Sequence, residues 1–156
     1  MALPSDATDT PSRPLKRFVS YRVLRAHFAL NAQAMDILEE NAGITLSQWR
    51  VMSFVGSGEA KTSRAIASLS GLDPAIISRA VKSLEDQGVM DVERLQEDRR
   101  TLALALTPEG RRIYEKTLPI MRARQEALME ALDPKEREVI LSALEKIELA
   151  AERRDF

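Results

Sequence analysis

The chain contains no cysteine, and that absence removes several chemistries together. Disulfide scaffolds, thiolate nucleophiles, cysteine redox sensing and cysteine-rich zinc sites all need a residue that is not there. Histidine occurs once, as His27, which leaves no basis for a His-rich metal site within one chain. No metal and no cofactor is expected. No apolar run approaches the roughly 20 residues of a membrane span, so no membrane partner is expected. The opening MALPSDATDTPSRP places acidic residues and prolines where a secretory signal needs a basic start and an apolar stretch. The expected location is therefore the cytoplasm. Charge of either sign is not in excess: the formal net charge is −1, so any case for a nucleic-acid partner must rest on local clustering. Also lacking are a phosphate-cradling glycine loop, a recognisable Ser/His/Asp cluster and a metal-ligand spacing, and no enzymatic activity is expected.

What is present is 156 residues with 44 % apolar content, enough for one domain with extensions. Residues 1–14 are rich in Pro, Ser, Thr and Asp and read as a flexible arm. From Leu15, apolar residues including Phe18, Tyr21, Leu24, Phe28, Met35 and Leu38 recur at helical spacing, which predicts one long helix ending before Gly43. Thr45 followed three residues later by Gln48 is a capping-box pattern, predicting a second helix over about 46–55, broken by Gly56-Ser57-Gly58. Thr62 opens a short third helix that stops at Gly71, and Asp73-Pro74 opens a fourth that stops at Gly88. Residues 89–94 and 101–106 alternate at period two and read as a hairpin with a charged turn. Thr107-Pro108 opens a long fifth helix, in which Pro119 predicts a kink or break. Asp133-Pro134-Lys135-Glu136 combines cap, proline and capping-box glutamate at the start of a sixth.

The third and fourth helices are the most informative pair. Ala67, Gly71 and Ile77 are spaced four and six apart. In a helix-turn-helix the small alanine admits the second helix, the glycine permits the tight turn, and the isoleucine packs the two together. The same spacing also fits a plain helical hairpin in an all-α core. In the helix-turn-helix reading, the outer face of the second helix is Pro74, Ala75, Ser78, Arg79 and Lys82, groups short or basic enough to meet base edges or phosphates. A hairpin placed directly after such a pair makes a winged helix. Its tip here holds Asp98, Arg99 and Arg100; a guanidinium there suits a narrow, strongly negative minor groove, and Asp98 can orient it through a bidentate pair.

The stretch LSQWRVM at 46–52, Ser78-Arg79, SLEDQGVMDVER at 83–94, the wing motif Asp98-x-Arg100 and LTPEG at 106–110 together resemble the MarR family of transcription regulators. The resemblance covers most of the chain. It implies a mainly α fold of the α+β kind in the order α-α-α-α-β-β-α-α, a winged helix-turn-helix DNA-binding domain over 45–107, and a helical dimerisation region from 15–42 and 108–156. It further implies a homodimeric, sequence-specific regulator on a pseudo-palindromic double-stranded operator, acting as a repressor. Arg79 would contact DNA from the recognition helix, Arg100 would enter the groove from the wing with Asp98 supporting it, and Arg94 fits the pattern at the wing base. The chain departs from the family in carrying apolar Pro74-Ala75 where polar base-readers are frequent.

Independently, the first helix is apolar around much of its circumference, including Phe18, Val19, Val23 and Leu24. Pairing with a second copy would cover it and set two recognition helices roughly 34 Å apart, one DNA turn. The resemblance also implies release by a small phenolic or aromatic acid, with Tyr21, Arg25, His27 and Trp49 as candidate contacts. The alternative function is a winged-helix module that binds a protein partner and has no DNA-binding activity.

Overall fold

The computed structural model describes residues 14–94 and 102–154. Two expectations fall outside them: most of the arm expected over residues 1–14, and the wing tip with Asp98, Arg99 and Arg100. Among the described residues the architecture is mainly α, six helices and one two-stranded antiparallel sheet in the order α-α-α-α-β-β-α-α. The chain divides into two compact units, Met1–Leu46 and Ser47–Phe156.

The first unit holds α1, Val19–Ala42. The helix starts later than its periodicity predicts. Leu15–Arg17 forms a separate 3-10 turn, and Phe18 between the two is extended at φ −74°, ψ 133°, which ends one helix and begins the next. Gly43 stops α1 as expected, with its N–H donating to the Glu39 carbonyl. The helix buries Ala34 and Leu38, while Phe28 remains 63 % and Met35 55 % exposed.

The second unit contains the helix-turn-helix and the hairpin. Helix α2 spans Leu46–Ser57, running through Gly56 instead of breaking there. The cause is tertiary: a Cβ on Gly56 would lie 2.8 Å from the Tyr114 ring, so this glycine admits an aromatic side chain from another helix. Helix α3, Ser63–Ser70, is capped by Thr62, whose hydroxyl accepts from the Ala65 N–H at 3.1 Å. Gly71 adopts φ 64°, a conformation costly for any residue with a Cβ, and turns the chain into α4, Pro74–Asp86. Helices α3 and α4 pack together, with Ile66 and Ile77 both buried.

Strand β1, Met90–Arg94, pairs antiparallel with β2, Leu102–Leu106, in the register Val92 opposite Leu104. The other edge of β2 is also engaged. Leu104 N–H donates to the Lys61 carbonyl at 2.8 Å, and Thr62 bridges Ala103. Leu104 is buried, Leu102 and Leu106 are half-buried, and Ala105 between them is exposed, the alternation that anchors the hairpin by one face. Thr107 then serves three partners. Its N–H donates to the Val89 carbonyl, its hydroxyl donates to the Gly88 carbonyl at 2.8 Å and accepts from the Gly110 N–H at 3.1 Å. A Cβ on Gly110 would lie 2.0 Å from the Val89 carbonyl oxygen, so the LTPEG stretch needs glycine there to seat the helix on the hairpin.

Helix α5, Pro108–Glu130, continues unbroken through Pro119, contrary to the break considered from sequence. The missing N–H removes one helical bond, but the packed residues Tyr114 and Thr117 lie in the preceding turns. Helix α6, Pro134–Ala151, begins with a complete capping box. Asp133 Oδ1 accepts from the Lys135 and Glu136 N–H groups, and Glu136 accepts from the Asp133 N–H.

Candidate nucleic-acid interface

The centre of the site is α4. Its inner face, Ile77, Ala80, Val81 and Leu84, is buried, and the spacing of these residues fixes which side chains remain outside. Pro74, Ala75, Ser78, Arg79 and Lys82 are all exposed. Ala75, Ser78, Arg79 and Lys82 recur at three- and four-residue intervals and so share one face. A shallow groove along this helix is lined by Ser78, Arg79, Lys82, Ser83, Asp86 and Gln87.

A pair of side chains joins α4 to α2 at the C-terminal half of α4, and a third braces it from the end of α4. Gln48, expected as the capping-box partner of Thr45, is buried and donates its amide to Ser83 Oγ at 3.1 Å. The Gln87 amide donates to the same oxygen at 3.2 Å. A buried amide that lost this partner would cost about 1–3 kcal/mol, so the contact fixes the orientation of the exposed face. Sequence reasoning missed this role because the two groups are 35 residues apart. Thr62 was read only as a cap, and its bridge to Ala103 was equally invisible.

The basic groups of α4 differ in their surroundings. The Lys82 ammonium lies 2.6 Å from Asp86 and 3.6 Å from Glu85. The hydrogen bond to Asp86, then the charges of Asp86 and Glu85, raise its pKa above the ordinary lysine value, and its side chain is exposed. It stays protonated at neutral pH, and an approaching phosphate must compete with two carboxylates for it. Arg79 is exposed on the same face, one turn nearer the start of α4.

The hairpin carries the wing. Its base is held by the β1–β2 ladder and by the residue 61–62 edge, while Asp98, Arg99 and Arg100 lie outside the described residues. The four ligand candidates are not alike. Tyr21 is half-buried, and Arg25 and His27 are exposed on α1, with the Asn31 amide 3.0 Å from His27 Nε2. Trp49 is 7 % exposed and stacks on Tyr114, ring centroids 5.8 Å apart at 23°. Arg111 extends this stack, its guanidinium 5.8 Å from the Tyr114 centroid and donating to the Gly56 carbonyl at 3.1 Å. Trp49 is thus engaged in joining α2 to α5, and none of the four lines the groove on α4. Among the described residues no group of three His, Asp or Glu side chains is placed to hold a metal ion, and no helix is long and apolar enough to cross a membrane.

Comparison with known proteins agrees with this architecture. Residues 42–101 match the model of the MarR family. A MarR/EmrR family transcriptional regulator from Acinetobacter sp. ADP1 superposes with a TM-score of 0.82 at 25 % identity, over 91 % of this chain and 100 % of that one. The S. aureus MepR–DNA complex superposes with a TM-score of 0.79 at 20 % identity, over 86 % of this chain and 99 % of that one. The Streptomyces coelicolor PcaV transcriptional regulator, solved with its natural ligand, gives 0.76 at 21 % identity, over 90 % and 99 %. The last two likenesses concern the fold alone. The sequence match falls on the segment that carries the helix-turn-helix and the hairpin, the helices on both sides keep the same order, and the chain is thus similar to the MarR family over that segment and shares its winged-helix fold.

Proposed function

We propose that the protein is a homodimeric, sequence-specific repressor that binds a pseudo-palindromic double-stranded operator and releases it when a small aromatic or phenolic acid binds. The observation that carries the DNA-binding part is α4 itself: a helix with its inner face buried, oriented by the Gln48–Ser83 bond, and presenting Ser78, Arg79 and Lys82 together on the outside. In this reading residues 45–107 are the DNA-binding domain, α4 lies in the major groove, and Asp98, Arg99 and Arg100 act from the wing, with Arg100 in the minor groove. Residues 15–42 and 108–156 form the dimerisation region, and residues 1–14 are a flexible arm. Exposed apolar side chains support the second copy: Phe18, Val19, Val23 and Leu24 before and along α1, Leu141 and Leu149 on α6. A PcaV structure that contains a natural ligand supports a small-molecule effector, for which Tyr21, Arg25 and His27 are the accessible candidates on this chain and Trp49 a buried one.

The test is an anisotropy titration of the protein against its own upstream intergenic DNA across a salt series, with and without aromatic acids. A saturable complex is expected whose affinity falls as salt rises. Arg79→Ala or Arg100→Ala should weaken it and flatten the salt dependence, with the dimer intact by sedimentation. No saturable complex with any fragment would favour a protein-interaction module instead.

A further inference from the structure

The first turn of α4 has a chemistry that its later turns lack. Pro74 has no N–H. The Ala75 N–H donates to Asp73 Oδ1 at 2.7 Å, and the Ile76 and Ile77 N–H groups donate to the Asp73 carbonyl at 2.9 and 3.2 Å. The start of the helix therefore offers no backbone donor to a ligand, although helix starts usually do. The Asp73 carboxylate is exposed and occupies the position an anion would take, so the turn repels phosphate instead of binding it. Its side chains add nothing polar. Pro74 and Ala75 are exposed and Ile76 is 37 % exposed, and the first polar side chain after the cap is Ser78.

An apolar, donor-free tip continues directly into a face that carries Arg79 and Lys82. The two basic residues match a polyanion, and the tip must meet something apolar within it. In the major groove only one base presents such a group: thymine, through its 5-methyl, while guanine, adenine and cytosine present acceptors and donors that Pro74, Ala75 and Ile76 have no side-chain group to pair with, and the one carboxylate beside them, Asp73, already accepts the Ala75 N–H. We infer that the first turn of α4, through Pro74, Ala75 and Ile76, reads thymine methyl groups and so sets an A·T preference at the positions it covers. This rests on the DNA-binding reading of α4 and assigns its apolar start a specificity role, leaving affinity to Arg79 and Lys82.

The experiment replaces every thymine in a bound upstream fragment by uracil, which removes the 5-methyl groups and leaves the hydrogen-bonding edges unchanged. Binding of both fragments is measured by anisotropy for the parent, for Ala75→Ser and for Arg79→Ala, with the fold of each checked by circular dichroism. The parent is expected to bind the uracil fragment more weakly, by about four-fold for each methyl group buried. Ala75→Ser should reduce this discrimination, and Arg79→Ala should lower affinity for both fragments while preserving it. Equal parental affinity for the two fragments, in a complex that remains salt-dependent, overturns the thymine reading and leaves DNA binding standing. A discrimination that Ala75→Ser does not reduce also overturns it, since the methyl groups would then act through another part of the protein or through DNA shape. The absence of any saturable complex overturns both.

Discussion

Helices α4 and α6 begin alike and end differently. Each starts with Asp-Pro, and in each the aspartate carboxylate accepts a backbone N–H of the first turn. Yet α4 buries Ile77, Ala80, Val81 and Leu84, whereas α6 buries no residue and leaves Leu141 and Leu149 each 65 % exposed. Their local code is the same, and their roles diverge because α3 and β1 pack against α4. A helix whose apolar stripe is covered by its own chain is free to present polar and basic groups outward. A helix whose apolar side chains remain exposed still has surface to bury, and the proposed second copy would do so.

Truncating the two apolar faces should separate these roles most sharply. Leu84 is fully buried, and Leu84→Ala should cost about 2–5 kcal/mol by denaturant unfolding. Leu141→Ala should change the stability of the isolated chain by less than about 0.5 kcal/mol while weakening self-association in sedimentation. Equal effects on stability would show that α6 is already covered within one chain. The caps should behave alike despite this difference. Asp73→Ala and Asp133→Ala should each cost about 1 kcal/mol, and Asp133→Ala leaves the Lys135 and Glu136 N–H groups without their acceptor. A negligible effect at either site would mean that packing, and not the cap, sets where that helix starts.

Smaller effects concern the charges on α4. Asp86→Asn should release Lys82 from its closest carboxylate and tighten DNA binding by a few-fold in the same anisotropy assay, with the gain shrinking at high salt. An unchanged affinity would place Lys82 away from the phosphates. The smallest is a pH effect. Because the folded-state pKa of Lys82 is raised above 10.5, chiefly by its hydrogen bond to Asp86, any stability from this pair is fully present below that value. It is lost only as pH rises through the higher folded value. Thermal denaturation of the parent and Lys82→Met should therefore differ by a constant amount through the neutral range, and that difference should fade only in alkaline solution. The pair is exposed, so the difference should be close to the detection limit.

Except for α1, which begins at Val19 after a separate turn, the helix starts were legible because each is written in a few adjacent residues. Thr62, Asp73, Thr107 and Asp133 all cap the helices their positions predict. The period-two alternation located the hairpin, and the family resemblance singled out α4 as the proposed recognition helix. What escaped was non-local. Gly56 reads as a breaker until Tyr114 is seen to fill the space its side chain would take. Gln48 reads only as a capping residue, and its bond to Ser83 is a contact that the local pattern does not carry. Trp49 reads more readily as core than as a ligand contact, and its stacking on Tyr114 and burial show it packed in the interior. Pro119 reads as a break, but helix hydrogen bonds on both sides and the buried anchors at Tyr114 and Thr117 carry α5 through it.

Caps, turns and amphipathic spacing depend on side chains reaching backbone groups within about one helical turn, so the residue order alone establishes the six helices, the hairpin and the outward row of α4. The tilt and anchoring of these elements depend on contacts between residues far apart in the chain, where a ring, a carbonyl or a hydroxyl must find a particular partner. Gly110 beneath the Val89 carbonyl, Thr62 against Ala103, and Gln48 on Ser83 are of this kind. They decide how α4 is held and therefore which of its side chains would face a bound partner in the proposed reading, because only the folded chain brings those partners within bonding distance.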